Sequence, residues 1–165
     1  MVINMFNNKY GDEGLTTLFK EEISKASIEL DFLGNLKEVS AFIKLGINYI
    51  NPFTYYFIND ALSDILKVLN SIELDYSLNV NNNYLVSSVV SIEKRIDDLK
   101  DKLKDYKPKD LINNKVGSLM EVIYTKCLKL ERSYYKLNQE YRFQSYLNRL
   151  NDYFYLLKDY LNKEL

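Results

Sequence analysis

With 165 residues, 47% of them hydrophobic and 27% charged, the chain has the size and balance of one globular domain with a real core. A net charge of −1 offers no basic footprint, which excludes nucleic acid as a main partner, and no run of about 18 apolar residues is present to span a membrane. There is no histidine, so Ser-His-Asp triads, His-ligated zinc and His-based proton transfer are all excluded, and the one cysteine, Cys127, cannot form an internal disulfide.

The start, MVINMFNNKYGDEG, lacks the basic region and apolar stretch of a secretion signal. Together with the single thiol, this suits a cytoplasmic protein. Residues 1–34 carry Gly11, Gly14 and Gly34 and no sustained helical period. They read as an extended, looped arm ahead of a helical body at 35–165, the whole forming one domain, 1–165. Asn35 followed by Glu38 resembles a capping box that opens the first helix, with Val39, Phe42, Ile43 and Ile47 on one face. Asn51-Pro52 then reads as the start of a second helix, with Pro in the first turn and Ile58, Ala61, Ile65, Leu69 and Ile72 facing inward. The Asn-rich stretch from Asn79 to Tyr84 is a loop.

A third helix follows, with Val86, Val89, Ile96, Leu99 and Leu103 on one side and a solvated charge run from Asp97 to Lys102 on the other. Pro108 is expected to end it. The fourth helix places Val116, Leu119, Met120, Ile123, Cys127, Leu130, Tyr134 and Leu137 at alternating steps of three and four. The last places Tyr146, Leu150, Phe154, Leu157 and Leu161 in the same way, and the turn between them falls near Gln139 to Arg142. The expected fold is all-α, a five-helix up-and-down bundle with an extended N-terminal arm. Tyrosines on several faces of the last two helices fit an oligomer interface, or simply a Tyr-rich composition; the pattern leaves both open.

Three stretches carry possible chemistry. In Asn8-Lys9-Tyr10-Gly11-Asp12-Glu13-Gly14-Leu15-Thr16-Thr17, glycines let the backbone turn and present N–H groups to an anion, hydroxyls follow, and Lys25 comes shortly after. The spacing is not that of a P-loop. On the fourth helix, Lys126, Lys129, Glu131, Arg132 and Lys136 gather charge, and Glu131 is placed to orient a neighbouring cation. On the last helix, Asn148 is expected near the border of the buried face, where its amide needs a partner. Cys127 sits on the apolar stripe and reads as an inert buried thiol.

In order along the chain, these stretches resemble the trimeric corrinoid adenosyltransferases. The arm is similar to that family's T-(K/R)-T-G-D-x-G-x-T-x-L, and Ile23-Ser24-Lys25 to its V-x-K. Gly34 to Ser40 resembles G-x-x-D-E-L, Ile58-Asn59-Asp60 resembles Q-N-D, and Ile92 to Asp97 resembles L-E-x-x-I-D. Thr125 to Arg132 is similar to the end of A-R-T-V-C-R-R-A-E-R, and Tyr146 to Asp152 to Y-L-N-R-L-S-D. The resemblance implies a homotrimer that takes ATP and cobalamin, usually with Mg²⁺, and moves the 5′-deoxyadenosyl group onto cob(I)alamin. It implies phosphate or nucleotide contacts at Lys9, Gly11, Asp12, Gly14, Thr16, Lys25 and Asn148, and a catalytic cluster at Lys129, Glu131 and Arg132. No protein-held metal is implied.

The chain also departs from the family pattern. Lys37 stands where the family has an aspartate, Tyr124 and Leu128 where it has arginines, and Glu29 where members have an arginine. In the family that aspartate and the first arginine pair across the subunit boundary. The alternative reading is therefore a trimeric relative that binds nucleotide or corrinoid without adenosylation.

Overall fold

The computed structural model describes residues 12–18, 21–108, 114–137 and 142–164. Helix α1 runs Ile28–Tyr49, so it opens well before the expected box at Asn35. Ser27 is the cap: its hydroxyl accepts from the Leu30 amide at 3.4 Å. Glu29 and Asp31 in the first turn complement the helix dipole. Asn35 lies inside the helix and is buried. Gly34 hid this turn, since glycine costs a helix about 1 kcal/mol. Fully enclosed Phe32 and Leu36 outweigh it, because burying such side chains stabilises by roughly 1.5–3 kcal/mol each.

Ahead of α1 the arm contains a β-hairpin. Strand β1, Leu15–Leu18, pairs antiparallel with β2, Glu21–Ser24, and Thr16 stands opposite Ile23. Leu18 is buried and Ile23 packs on the core, so apolar contacts hold the hairpin to the bundle.

Helix α2 runs Tyr56–Leu78 and does not start at Pro52. The Asn51 side chain accepts from the amides of Phe53 at 2.9 Å and Thr54 at 3.3 Å, which makes a turn instead of a first helical turn. Its expected inner face, Ile58, Ala61, Ile65, Leu69 and Ile72, is buried throughout. The helix ends at Asn79, whose φ of 51° is the left-handed conformation that asparagine tolerates.

Helix α3, Tyr84–Lys102, stops short of Pro108 and buries Ile92, Ile96 and Leu99. Val86, expected on its inner face, is 78% exposed. The helix that covers α3 is α5, Gln144–Glu164, and the two run parallel, with Glu93 beside Arg149 and Lys102 beside Lys163. Helix α4, Lys115–Tyr135, is capped by Asn114, whose side chain accepts from the Gly117 amide at 2.5 Å. It packs antiparallel between α1 and α5: Glu38 meets Lys126 while Gly46 meets Met120, and Asn151 meets Glu131 while Tyr155 meets Tyr124. The core stripes of α4 and α5 match the expected positions, with Leu147 and Tyr153 added because α5 is covered on two sides. The expected α4–α5 turn falls mostly outside the described residues; just beyond it, the buried Tyr134 hydroxyl accepts from the Phe143 amide at 3.1 Å.

Most tyrosines of α4 and α5 point inward. Tyr134, Tyr146, Tyr153 and Tyr160 are buried, while Tyr135 and Tyr155 are exposed. Burial pushes the Tyr153 and Tyr146 phenols well above their ordinary range. Cys127 is enclosed in the same core, and burial raises its thiol far beyond reactivity near neutral pH.

Gly46 marks a close approach of α1 to α4. A Cβ there would stand 2.8 Å from Met120 Cε and 3.6 Å from Ile123 Cδ1. Gly46→Val is therefore expected to destabilise by about 1–3 kcal/mol through overpacking. Gly46→Ala should cost less, because the Met120 terminus can swing aside. Urea denaturation of both variants checks this; a valine variant as stable as the native chain would refute the close contact.

Candidate functional site

The short segment after β2, residues 25–27, and the first turns of α1 form one wall of a cleft, and the C-terminal part of α4 forms the other. The cleft has a volume of about 810 Å³. Lys25 reaches it because its backbone N–H donates to the Gly14 carbonyl at 2.7 Å, which closes the hairpin base. Gly14 has a φ of 78°, so the turn at this point favours glycine. From α1 the lining includes Asp31, Gly34, Asn35, Lys37 and Glu38; from α4 it includes Lys129 and Lys136. Four lysines thus face one space with two carboxylates, an arrangement suited to a multiply charged anion.

Glu38 organises the α4 side. It accepts from Lys126 Nζ at 2.8 Å and lies 3.5 Å from Lys129 Nζ. The hydrogen bond from Lys126 holds its carboxyl below the usual glutamate range, against the opposing effect of burial. Lys129 is thereby anchored at the cleft edge while half exposed. Lys37 is paired differently, with Glu73 of α2 at 3.4 Å, and is 68% exposed.

The expected site residues divide into groups. Lys25 and Lys129 meet in the cleft. Gly14 is tied to Lys25 through the backbone. Asp12 is exposed, and Thr16 is half-buried on β1; neither is part of the cleft wall. Lys9 and Gly11 lie outside the described residues.

Glu131 pairs with no cation among the described residues. It accepts from Asn151 Nδ2 at 2.6 Å and so joins α4 to α5. Arg132 is exposed near the end of α4, one turn beyond Lys129. Asn148 is exposed and not at the border of the core. Two residues along a helix turn the side chain by roughly 200°, so a residue midway between inward-facing Tyr146 and Leu150 points outward. The buried amide on α5 is Asn151, only 5% exposed, and sequence spacing could have found it one step after Leu150. Asn35 was also missed, because it was placed at a helix start and not inside a helix.

Two of the departures from the family pattern, Lys37 and Tyr124, have partners within their own chain. Lys37 pairs with Glu73. Tyr124 stacks edge-on against Tyr155, with ring centroids 5.5 Å apart, and Lys158 lies over the Tyr155 ring. A second cleft of about 350 Å³ lies between α2 and α3, and its charged groups are already joined, Asp64 to Arg95 at 2.6 Å and to Lys67 at 3.0 Å. Among the described residues no group of three or more His, Cys, Asp or Glu side chains could hold a metal, and no helix is long and apolar enough to cross a membrane.

The model of the family described as cobalamin adenosyltransferase matches residues 6–161. No curated protein matches the chain. Among solved structures, the fold is similar to a PduO-type ATP:corrinoid adenosyltransferase from Lactobacillus reuteri. A phenylalanine-to-alanine variant of that protein, complexed with cobalamin and ATP, superposes with a TM-score of 0.84 at 21% identity, over 94% of this chain and 92% of that one. An arginine-to-lysine variant complexed with ATP gives a TM-score of 0.84 at 21% identity, over 94% and 93%. The likeness at this identity shows a shared five-helix fold.

Proposed function

Because the chain belongs to the cobalamin adenosyltransferase family, we propose that it transfers the 5′-deoxyadenosyl group of ATP to cob(I)alamin and releases triphosphate, working as a cytoplasmic homotrimer. The observation that carries this reading is the cleft in which Lys25 of the arm and Lys129 of α4 face the same anion-sized space. In the reaction the cobalt(I) electron pair forms the bond to the ribose 5′ carbon, and the C5′–O bond breaks with its electrons going to triphosphate. No general base is required, which accords with a chain that has no histidine. The protein's tasks are to bind, to orient and to neutralise charge on the leaving group.

Lys25 and Lys129 supply positive charge where the leaving triphosphate gains negative charge. Glu38 holds Lys129 in place, so its carboxylate is a positioning group. Mg²⁺ commonly binds through one or two carboxylates plus substrate phosphates. Of the cleft carboxylates, Asp31 fits that role, because both oxygens of Glu38 are engaged by Lys126 and Lys129, and the ion would add charge neutralisation on the phosphates.

The test is an anaerobic assay with reduced cobalamin and Mg-ATP, followed by the spectrum of adenosylcobalamin. Product above a no-protein control is expected. A second reading, binding without adenosylation, is favoured by one observation: Lys37 and Tyr124 are each engaged within their own chain, and thus drawn away from a neighbouring subunit. No product at saturating substrates, with ATP binding retained, would establish that second reading.

A further inference from the structure

Asn35 is 4% exposed and lines the cleft, yet its Nδ2 meets no acceptor among the described residues. Buried amide donors are nearly always hydrogen-bonded, so this one suits an acceptor that arrives from solution. Next to it, the Cβ position of Gly34 has nothing within 4 Å, which leaves room for a ligand against α1. Two residues further on, Lys37 brings a cation to the same wall. Its partner Glu73 is 3.4 Å away, and Lys37 is mostly exposed. Such an ion pair contributes little and yields readily to a stronger anion.

We propose that Asn35 and Lys37 form a phosphate subsite on the α1 wall of the cleft, where Asn35 Nδ2 donates to a phosphate oxygen and Lys37 leaves Glu73 to neutralise it. Lys25, Lys129 and Lys136 surround the same space, so the ligand is a polyphosphate chain and not a single phosphate. That chain is either the triphosphate tail of a nucleotide or free inorganic triphosphate. Lys37 stands where the family resemblance places an aspartate. A carboxylate there would repel the ligand that the lysine attracts, so the substitution changes what this wall binds. The inference rests on the reading of the cleft as the triphosphate site and assigns it two residues beyond Lys25 and Lys129.

The experiment is calorimetric titration of the full chain with inorganic triphosphate, Mg-ATP and adenosine. Lys37→Asp is expected to weaken triphosphate binding roughly tenfold or more, as befits loss of a charge-assisted hydrogen bond. Asn35→Leu should weaken it less, with a melting curve to check folding. Glu73→Gln, which keeps the side chain's size and releases Lys37, should tighten it. Adenosine binding should not change in any variant. Parallel loss for Mg-ATP and free triphosphate identifies the nucleotide tail as occupant; loss for free triphosphate alone identifies the inorganic chain. Triphosphate affinity unchanged in both Lys37→Asp and Glu73→Gln would overturn the subsite. Adenosylcobalamin formation is scored separately. Product from the native chain alongside Lys37-independent triphosphate binding removes the subsite and keeps the proposed function. Lys37-dependent binding without product does the reverse.

Discussion

Replacing Asp75 with alanine is expected to lower the unfolding free energy by about 3–5 kcal/mol. The Asp75 carboxylate is almost fully enclosed and accepts from Arg142 Nη2 at 2.9 Å and Asn82 Nδ2 at 2.6 Å. These residues come from the end of α2, the loop before α3 and the turn just before α5, so one side chain joins three parts of the bundle. Arg142 also lies over the Phe143 ring, 4.8 Å from its centroid. Removing Asp75 would leave a largely buried guanidinium without its acceptor. The comparison is Lys67→Ala, which breaks an exposed pair with Asp64. Exposed pairs contribute about 0–1 kcal/mol, so that variant should barely shift the urea midpoint. Equal shifts for the two variants, at unchanged slope, would show that burial adds nothing at Asp75. The double variant Asp75→Leu with Arg142→Met should lose less than Asp75→Ala, because it leaves no charge stranded.

The second large effect concerns the cleft. Lys25→Ala is expected to raise the dissociation constant for Mg-ATP by roughly 10- to 100-fold, the range for a lost hydrogen bond to a charged group. The same loss should appear mainly as a higher KM if Lys25 contacts the phosphates equally in ground and transition states, and in kcat if the contact strengthens as triphosphate leaves. Lys129→Ala should act in the same direction but more weakly, since Glu38 already draws on part of that charge. Lys67→Ala, outside the cleft, serves as the control. Titration calorimetry measures all three. Unchanged nucleotide affinity in Lys25→Ala would remove the cleft from the proposed mechanism.

How much of this was legible beforehand varies by feature, and the reasons are physical. The stripes of α2, α4 and α5 could be read directly, because a helix packed on one side must repeat its apolar residues at steps of three and four. Helix starts were harder. At Ser27 and Asn51 the outcome depended on whether a short polar side chain capped a helix or made a turn, and both use the same residue types. Family membership was legible because motifs along the chain stay in order, and the matched span of residues 6–161 agrees with that.

The site was legible only in part. Lys25 and Lys129 were named from the sequence, yet they lie far apart along the chain, and only the packing of α1 on α4 brings them to one cleft. Glu131 and Asn148 were assigned by position in a motif. Their surroundings differ, because a partner such as Asn151 is chosen by the rotation of α5 about its own axis. The sequence alone therefore determined the number of helices, most of their buried faces, the lack of imidazole chemistry and the family. The tertiary structure decided which lysines share a space, that Glu38 fixes Lys129, and that Lys37 pairs inside its own chain. Burial patterns are local and periodic, so one dimension records them; charge pairing depends on distances between separate helices, and those exist only once the bundle has packed.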